Sequence, residues 1–262
     1  MRLKNVHLKE FLAAQNIGRV ERLPWFHSTK GTNLMDILNA GKLKALPCNV
    51  FQDKLSYFFV GRPAYKYTTD GDPAAWMLPV VFVFDFKQPP PIKRIYPFDS
   101  GAFTERRLPD YIHTFDREHF LLGSDAKSID KLVALYFGDR GSYVRRQANS
   151  QRELQRRHTF DMRHSELMAL ARLYSEQIMP EMDDRAAAVE VQVAADVPLG
   201  GGNLRGVIVC QEWLRTPGIR KELTKLTPNV LDYPIYPNTM QAYFGMVAQK
   251  TMDLYSALGI RI

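Results

Sequence analysis

The apolar positions of the chain change their period several times, and each change marks an element. Leu34, Ile37 and Leu38 stand at i, i+3 and i+4, which predicts a short helix from about Leu34 with Thr32 or Asn33 as its N-cap. Gly41 occupies the position where a left-handed glycine would end that helix. Leu55 to Val60 is aromatic and apolar with little alternation, the pattern of a strand covered on both faces, and Gly61 with Pro63 stops it. Trp76 to Phe86 (WMLPVVFVFDF) is the strongest buried-strand signal, with Pro79 limiting how much of it is central. A short strand is expected over Arg94 to Phe98, after the stiff connector Gln88 to Pro91. Helical faces follow over Lys127 to Gly138 and Leu167 to Ile178. Val189, Val191 and Val193 alternate with Glu190 and Gln192, predicting a strand with one apolar face and one face carrying a carboxylate and an amide. Gly200 to Gly202 then turns into a strand over Leu204 to Cys210, which reads as a hairpin, and a helix over about Thr239 to Leu258 closes the chain. At the other end, Val6, Leu8, Phe11 and Leu12 give residues 1–20 the apolar side of an amphipathic entry helix ending near Gly18.

A chain of 262 residues with 45% hydrophobic and 11% aromatic residues is sufficient for a packed core. No stretch approaches the roughly 18 apolar residues of a membrane span, and the opening MRLKNVHLKE has no uninterrupted apolar run, so a cytoplasmic protein is expected. Cys48 and Cys210 are the only cysteines and form no CxxC pair, which points away from a disulfide framework and from a structural zinc site. The net charge of +7, from 35 Lys and Arg against 28 Asp and Glu, favours polyanionic partners. Part of that excess is gathered in Arg145, Arg146, Arg152, Arg156 and Arg157. Such a run is either a solvated helix face or a surface that contacts phosphates, because guanidinium forks match phosphate oxygens.

Polar residues at the ends of apolar segments are the candidates for chemistry: His27, Thr29, Tyr57, Arg62, Tyr65 and Glu190. Each also has a plain structural reading, such as a histidine bonded in a turn, an arginine paired with a surface acid, or a glutamate on the wet face of an edge strand. Walker, HExxH, GxSxG and GxGxxG motifs are absent, so these routes to phosphate transfer, zinc proteolysis, hydrolase chemistry or dinucleotide binding have no support.

Three blocks in order, HSTKGTNLMDILNAGKL, LSYFFVGRPAYKY and AAAVEVQVAADVPL leading to GVIV, resemble the DarT-type ADP-ribosyltransferases. That family has a histidine and nearby threonine before a short helix, an aromatic strand leading to an arginine turn, and a late strand supplying a glutamate. The matching positions are His27, Thr29, Asn33, Arg62 and Glu190, within about residues 25–67 and 186–209. The chain departs from the pattern at Pro63, which follows Arg62 directly where the family has a serine between, and residues 87–185 have no counterpart.

The resemblance implies an α+β fold whose core is a split, mostly antiparallel ADP-ribosyltransferase sheet. It implies a single domain over residues 1–262, with a helical insertion at about 101–180. NAD would be the co-substrate, with no metal needed. Glu190 would stabilise the cation formed at the nicotinamide ribose, and Arg62 would hold the pyrophosphate or the acceptor. His27, Thr29 and Asn33 would bind the cofactor and Tyr65 would stack on the nicotinamide, with His27, Arg62 and Glu190 converging on one cleft. The acceptor would be a macromolecule, with DNA or RNA approached through the five arginines, in the manner of toxins and anti-phage effectors held in check by an inhibitory partner or antitoxin. NAD hydrolysis, RNA 2′-phosphotransferase chemistry in a more arginine-rich pocket, and a non-catalytic nucleic-acid- or protein-binding module are the competing expectations.

Overall fold

The computed structural model describes residues 4–64, 73–176, 184–236 and 239–262. The chain enters through α1 (Leu8–Ala14), shorter than the 1–20 pattern suggests, because Gln15 already has extended backbone; Leu8, Phe11 and Leu12 are its buried side. Strand β1 (Trp25–Lys30) leads through a single 3-10 turn into α2 (Leu34–Ala40). Asn33 is the N-cap residue of α2, yet its side chain makes no capping bond, while Gly41 ends the helix at φ 63°, where an L side chain would be strained. The short strands β2 (Lys42–Leu43) and β3 (Leu46–Pro47) precede β4 (Lys54–Val60). Next come β5 (Pro79–Phe84) and β6 (Ile92–Tyr96).

Among the described residues between β6 and the next strand the regular elements are helical: α3 (Ser100–Thr104), α4 (Lys127–Phe137), α5 (Arg140–Val144), α6 (Gln151–His158) and α7 (Ser165–Ser175). The chain then returns to the sheet in β7 (Glu190–Val193), followed by β8 (Val197–Pro198) and β9 (Leu204–Cys210). Helices α8 (Gln211–Arg215) and α9 (Ile219–Leu226), strand β10 (Val230–Tyr233) and the long α10 (Met240–Ala257) complete it.

The fold is α+β. The main sheet runs β10-β9-β5-β1-β4-β7-β6, with β3 added beside β4, and among the described strands only the β9–β10 pair is parallel. Strand β5 lies between β1 and β9 with all six residues buried, and the constraint from Pro79 falls harmlessly on its first position. The expected hairpin of β7 with β9 does not form. β7 is hydrogen-bonded to β4 and β6, whereas β9 sits beyond β1 and β5, so Gly200 to Gly202 sends the chain across the sheet. β8 pairs instead with β2.

One hydrophobic cluster includes α1, the sheet, the α4–α7 helices and α10. Phe26, Phe58, Phe82 and Phe84 are fully buried in it, each contributing about 1.5–3 kcal/mol by leaving water. Helix α10 covers one side of the sheet, with Tyr255 edge-on to Phe26 and Leu254 lying over Gly206. No helix among the described residues is long and apolar enough to cross a membrane.

Candidate functional site

The register across the sheet determines which candidate residues share a side. Phe26 of β1 stands opposite Phe59 of β4, and Phe59 stands opposite Glu190 of β7, which in turn faces Tyr96 of β6. Side chains directly opposite one another point the same way, so this row lies on one side of the sheet. Pairing between β1 and β4 includes the Trp25–Val60 and Phe26–Phe59 rows and then ends, although β1 stays paired to β5 as far as Lys30 and β4 to β7 as far back as Ser56. Each strand keeps its outer neighbour and loses its inner one. The sheet is therefore split between β1 and β4, and Glu190 lies in the last joined row.

His27 is the first residue past the split. Its Nδ1 is 2.9 Å from the Tyr57 carbonyl oxygen, occupying the region where a ladder bond would otherwise run. A carbonyl only accepts, so Nδ1 carries the proton and Nε2 is left as an acceptor. Burial pulls the His27 pKa below its ordinary value, against the carbonyl bond, which favours the neutral ring. The Tyr57 side chain points the other way: its hydroxyl donates to Cys48 Sγ at 2.7 Å and lies close enough to Glu190 to feel its charge.

Glu190 is 1% exposed on an interior strand, not on the wet face of an edge. Ser100 Oγ donates to its Oε1 at 2.7 Å, the Ser100 backbone N–H donates to Oε2 at 3.2 Å, and Gln192 Nε2 donates to Oε1 at 2.7 Å. Three donors favour the ionised form. Burial and, next, the neighbouring Asp99 carboxylate oppose them and win, raising the pKa above the usual carboxylate range. Asp99 is fixed there because it N-caps α3, its Oδ1 accepting from Ala102 N at 2.9 Å.

Arg62 follows β4 through Gly61, whose φ of 70° breaks the strand; a Cβ there would also press on Leu23 and Tyr143. The guanidinium is buried, donates to the Ala187 carbonyl three residues before Glu190, and lies 4.4 Å from the centre of the Tyr143 ring. Tyr143 locks this corner: its hydroxyl donates to the Val60 carbonyl at 2.9 Å and accepts from Val189 N at 3.0 Å.

A cavity of about 410 Å³ opens between the sheet and α10, lined by Arg62, Ser28, Val81, Arg145, Arg146 and one face of α10. Ser28 and Val81 are register partners, and Ser28 alternates with His27, so the cavity lies on the Phe26 and Glu190 side. Arg62 and Glu190 thus belong to one side of the sheet. His27 and Thr29 point to the other, and the expected convergence of His27 with Arg62 and Glu190 does not occur as a shared face, because a period of two separates His27 from Phe26. Thr29 accepts from Asn33 Nδ2 at 2.7 Å, so those two form a local pair on the His27 side. Tyr65 lies outside the described residues.

The arginine run is divided by the fold. Arg145 and Arg146 leave the end of α5 and line the cavity, Arg146 at a left-handed φ of 58°, whereas Arg152, Arg156 and Arg157 are exposed on α6. Ser28, Ser100, Asp99 and Tyr143 were not singled out from the sequence. Of these, only Asp99, an acid just before a helix start, carries a local signal. Comparison with protein-family models, with curated proteins and with solved structures finds no match.

Proposed function

We propose that the chain is an NAD-dependent ADP-ribosyltransferase acting on a macromolecular acceptor, with nucleic acid as the favoured class. The observation that carries this reading is the split of an otherwise continuous antiparallel sheet between β1 and β4, with Glu190 in the last joined row and His27 in the first open position. Of the residues on which the family resemblance rests, Arg62 and Glu190 share one side of the sheet, while His27 and the Thr29–Asn33 pair lie on the other.

In this reading the bond between the nicotinamide nitrogen and ribose C1′ breaks, and the leaving nicotinamide takes the electron pair. Glu190 stabilises the cationic sugar, and the acceptor forms the new bond to C1′ while its proton passes to the Glu190 carboxylate. The positive nicotinamide ring of NAD also favours the ionised form of Glu190, offsetting the effect of Asp99. His27 Nε2 accepts from a ribose hydroxyl at the split, with the Thr29–Asn33 pair beside it. Arg62 holds phosphate oxygens, and Arg145 and Arg146 extend that anion-binding surface along the cavity.

Those three arginines in one cavity also favour a second reading, the related removal of an RNA 2′-phosphate with NAD as acceptor. Incubation of the full chain with NAD and, separately, DNA, RNA, 2′-phosphorylated RNA and protein, read by mass spectrometry, separates the cases. Covalent ADP-ribose on an acceptor is the expected result. Free ADP-ribose alone identifies a hydrolase, loss of the 2′-phosphate supports the second reading, and a folded protein that consumes no NAD overturns all three.

A further inference from the structure

Away from the split, His7, His119 and Glu166 meet on the helical side of the molecule, with one potential ligand atom from each lying within 4.8 Å of the others. His7 directly precedes α1, His119 sits in a 3-10 turn over Arg117–Phe120, and Glu166 is in the first turn of α7. We infer that these three side chains bind a divalent cation of the zinc class, which staples the start of the chain to the α3–α7 segment.

The donor set is two imidazoles and one carboxylate, the composition of a three-ligand zinc site with an open fourth position. His7 Nδ1 is 3.0 Å from Glu166 Oε1 and 3.2 Å from Oε2, and His119 Nδ1 is 3.1 Å from Oε1. Zinc bonds of about 2.0–2.2 Å in a tetrahedron place ligand atoms roughly 3.3–3.5 Å apart, so the two imidazole–carboxylate separations are within a few tenths of an ångström of that, and the imidazole nitrogens lie within 4.8 Å of each other.

The direction of His119 is the sharper observation. Its Nδ1 is buried and close to the carboxylate, yet it makes no hydrogen bond among the described residues. The nitrogen is near the oxygen and aimed past it, as two ligands of a common ion are. Glu166 itself is 2% exposed, and among the described residues its ion pairs are with these two histidines only. A buried carboxylate needs a compensating cation, and an ion shared with the two imidazoles supplies one.

The backbone holds the three ligands in advance. Val6 N donates to the Arg163 carbonyl at 2.8 Å, fixing the segment before α1 against the turn before α7. His7 and His119 are 38% and 36% exposed, giving an ion and a water ligand access from solvent.

The test uses the untagged full chain, stripped with a chelator and titrated with Zn²⁺ by calorimetry and with Co²⁺ by visible absorption. One ion per chain and a four-coordinate Co²⁺ spectrum are expected. His7→Ala and His119→Ala, at partly exposed positions, and the near-isosteric Glu166→Gln should each weaken Zn²⁺ binding by about tenfold or more. Excess Zn²⁺ should raise the Tm of the parent chain and not of the variants, because only an ion held by the folded state stabilises it. A folded parent chain that binds no stoichiometric ion, or binding undiminished in all three variants, overturns the inference.

Discussion

Glu190 and Glu166 are the two glutamates among the described residues that are buried almost completely, and they are put to different uses. Glu190 lies inside the sheet among donors, with Ser100 and Gln192 bonded to it and a second acid, Asp99, nearby. Glu166 lies between two imidazoles in the helical layer. Burial raises the pKa of both; Asp99 raises that of Glu190 further, whereas His7 and then His119 oppose the rise at Glu166. The same residue type at the same depth is thus left short of positive charge at Glu190 and placed beside two imidazoles at Glu166. Burial alone says that a carboxylate is costly; its neighbours say what would make it useful. In the readings proposed above, an incoming cationic substrate would answer the need at Glu190, and a bound metal ion would answer it at Glu166.

The largest effect that would sharpen this contrast is catalytic. Glu190→Gln keeps the shape of the side chain and removes its charge, so NAD turnover should fall by about a hundredfold or more while the circular dichroism spectrum stays that of the parent chain. Near-parental turnover by the folded variant would remove Glu190 from the chemistry and leave it a buried strand residue.

A smaller effect is expected where the end of β4 is tied to the start of β7. Tyr143→Phe removes a hydroxyl that satisfies both the Val60 carbonyl and Val189 N, leaving those buried backbone groups without it. The cost should be about 1–3 kcal/mol in urea unfolding. A midpoint unchanged from the parent would show that these two bonds do not hold the end of β4 to the start of β7.

The divided arginine run gives the next comparison. Replacing Arg145 and Arg146 with Gln, next to Arg62 in the cavity, should weaken modification of a nucleic-acid acceptor and reduce the slope of log affinity against log salt by about 1 for each phosphate that is no longer neutralised. Replacing Arg152, Arg156 and Arg157 on the exposed face of α6 tests whether the acceptor extends beyond the cavity. If neither set changes the salt dependence, both are solvated surface and the preference for a nucleic-acid acceptor loses its electrostatic support.

Much of this geometry was legible where local chemistry decides it. Leu34, Ile37 and Leu38 with Gly41 specify α2, and the apolar run before Gly61 specifies β4, since periodicity and a left-handed glycine act over a few residues. The Ser150–Glu153 capping box that starts α6 was an equally local signal, though it was not singled out from the sequence. Strand partnership was not legible. Leu204 to Cys210 follows β7 closely enough to suggest a hairpin, but its apolar residues fill a position between β5 and β10, and that choice is made by the whole sheet. The alternation at Glu190 was read correctly as a polar face, yet its burial depends on Ser100 and the start of α3, some 90 residues earlier. The His7 and Glu166 pair, 159 residues apart, has no motif at either end.

The smallest expected effect concerns pH, and it asks whether Asp99 has the influence on Glu190 that the comparison assigns it. The Glu190 pKa is raised from 4.5 in the folded chain, by burial first and Asp99 second, so the folded state binds a proton that the unfolded state releases. The stabilisation is fully present below the unfolded value and is lost as pH rises toward and through the raised folded value, at up to about 1.4 kcal/mol per pH unit for one group. Urea midpoints of the parent chain should therefore fall relative to those of Glu190→Gln as pH rises above about 4.5. Asp99→Asn keeps an acceptor at the N-cap of α3 and deletes the charge, so it should bring the upper end of this window to lower pH without abolishing the window, because burial remains. If Asp99→Asn leaves the pH dependence unchanged, burial alone sets the state of Glu190, and the contrast with Glu166 reduces to the presence or absence of imidazole neighbours.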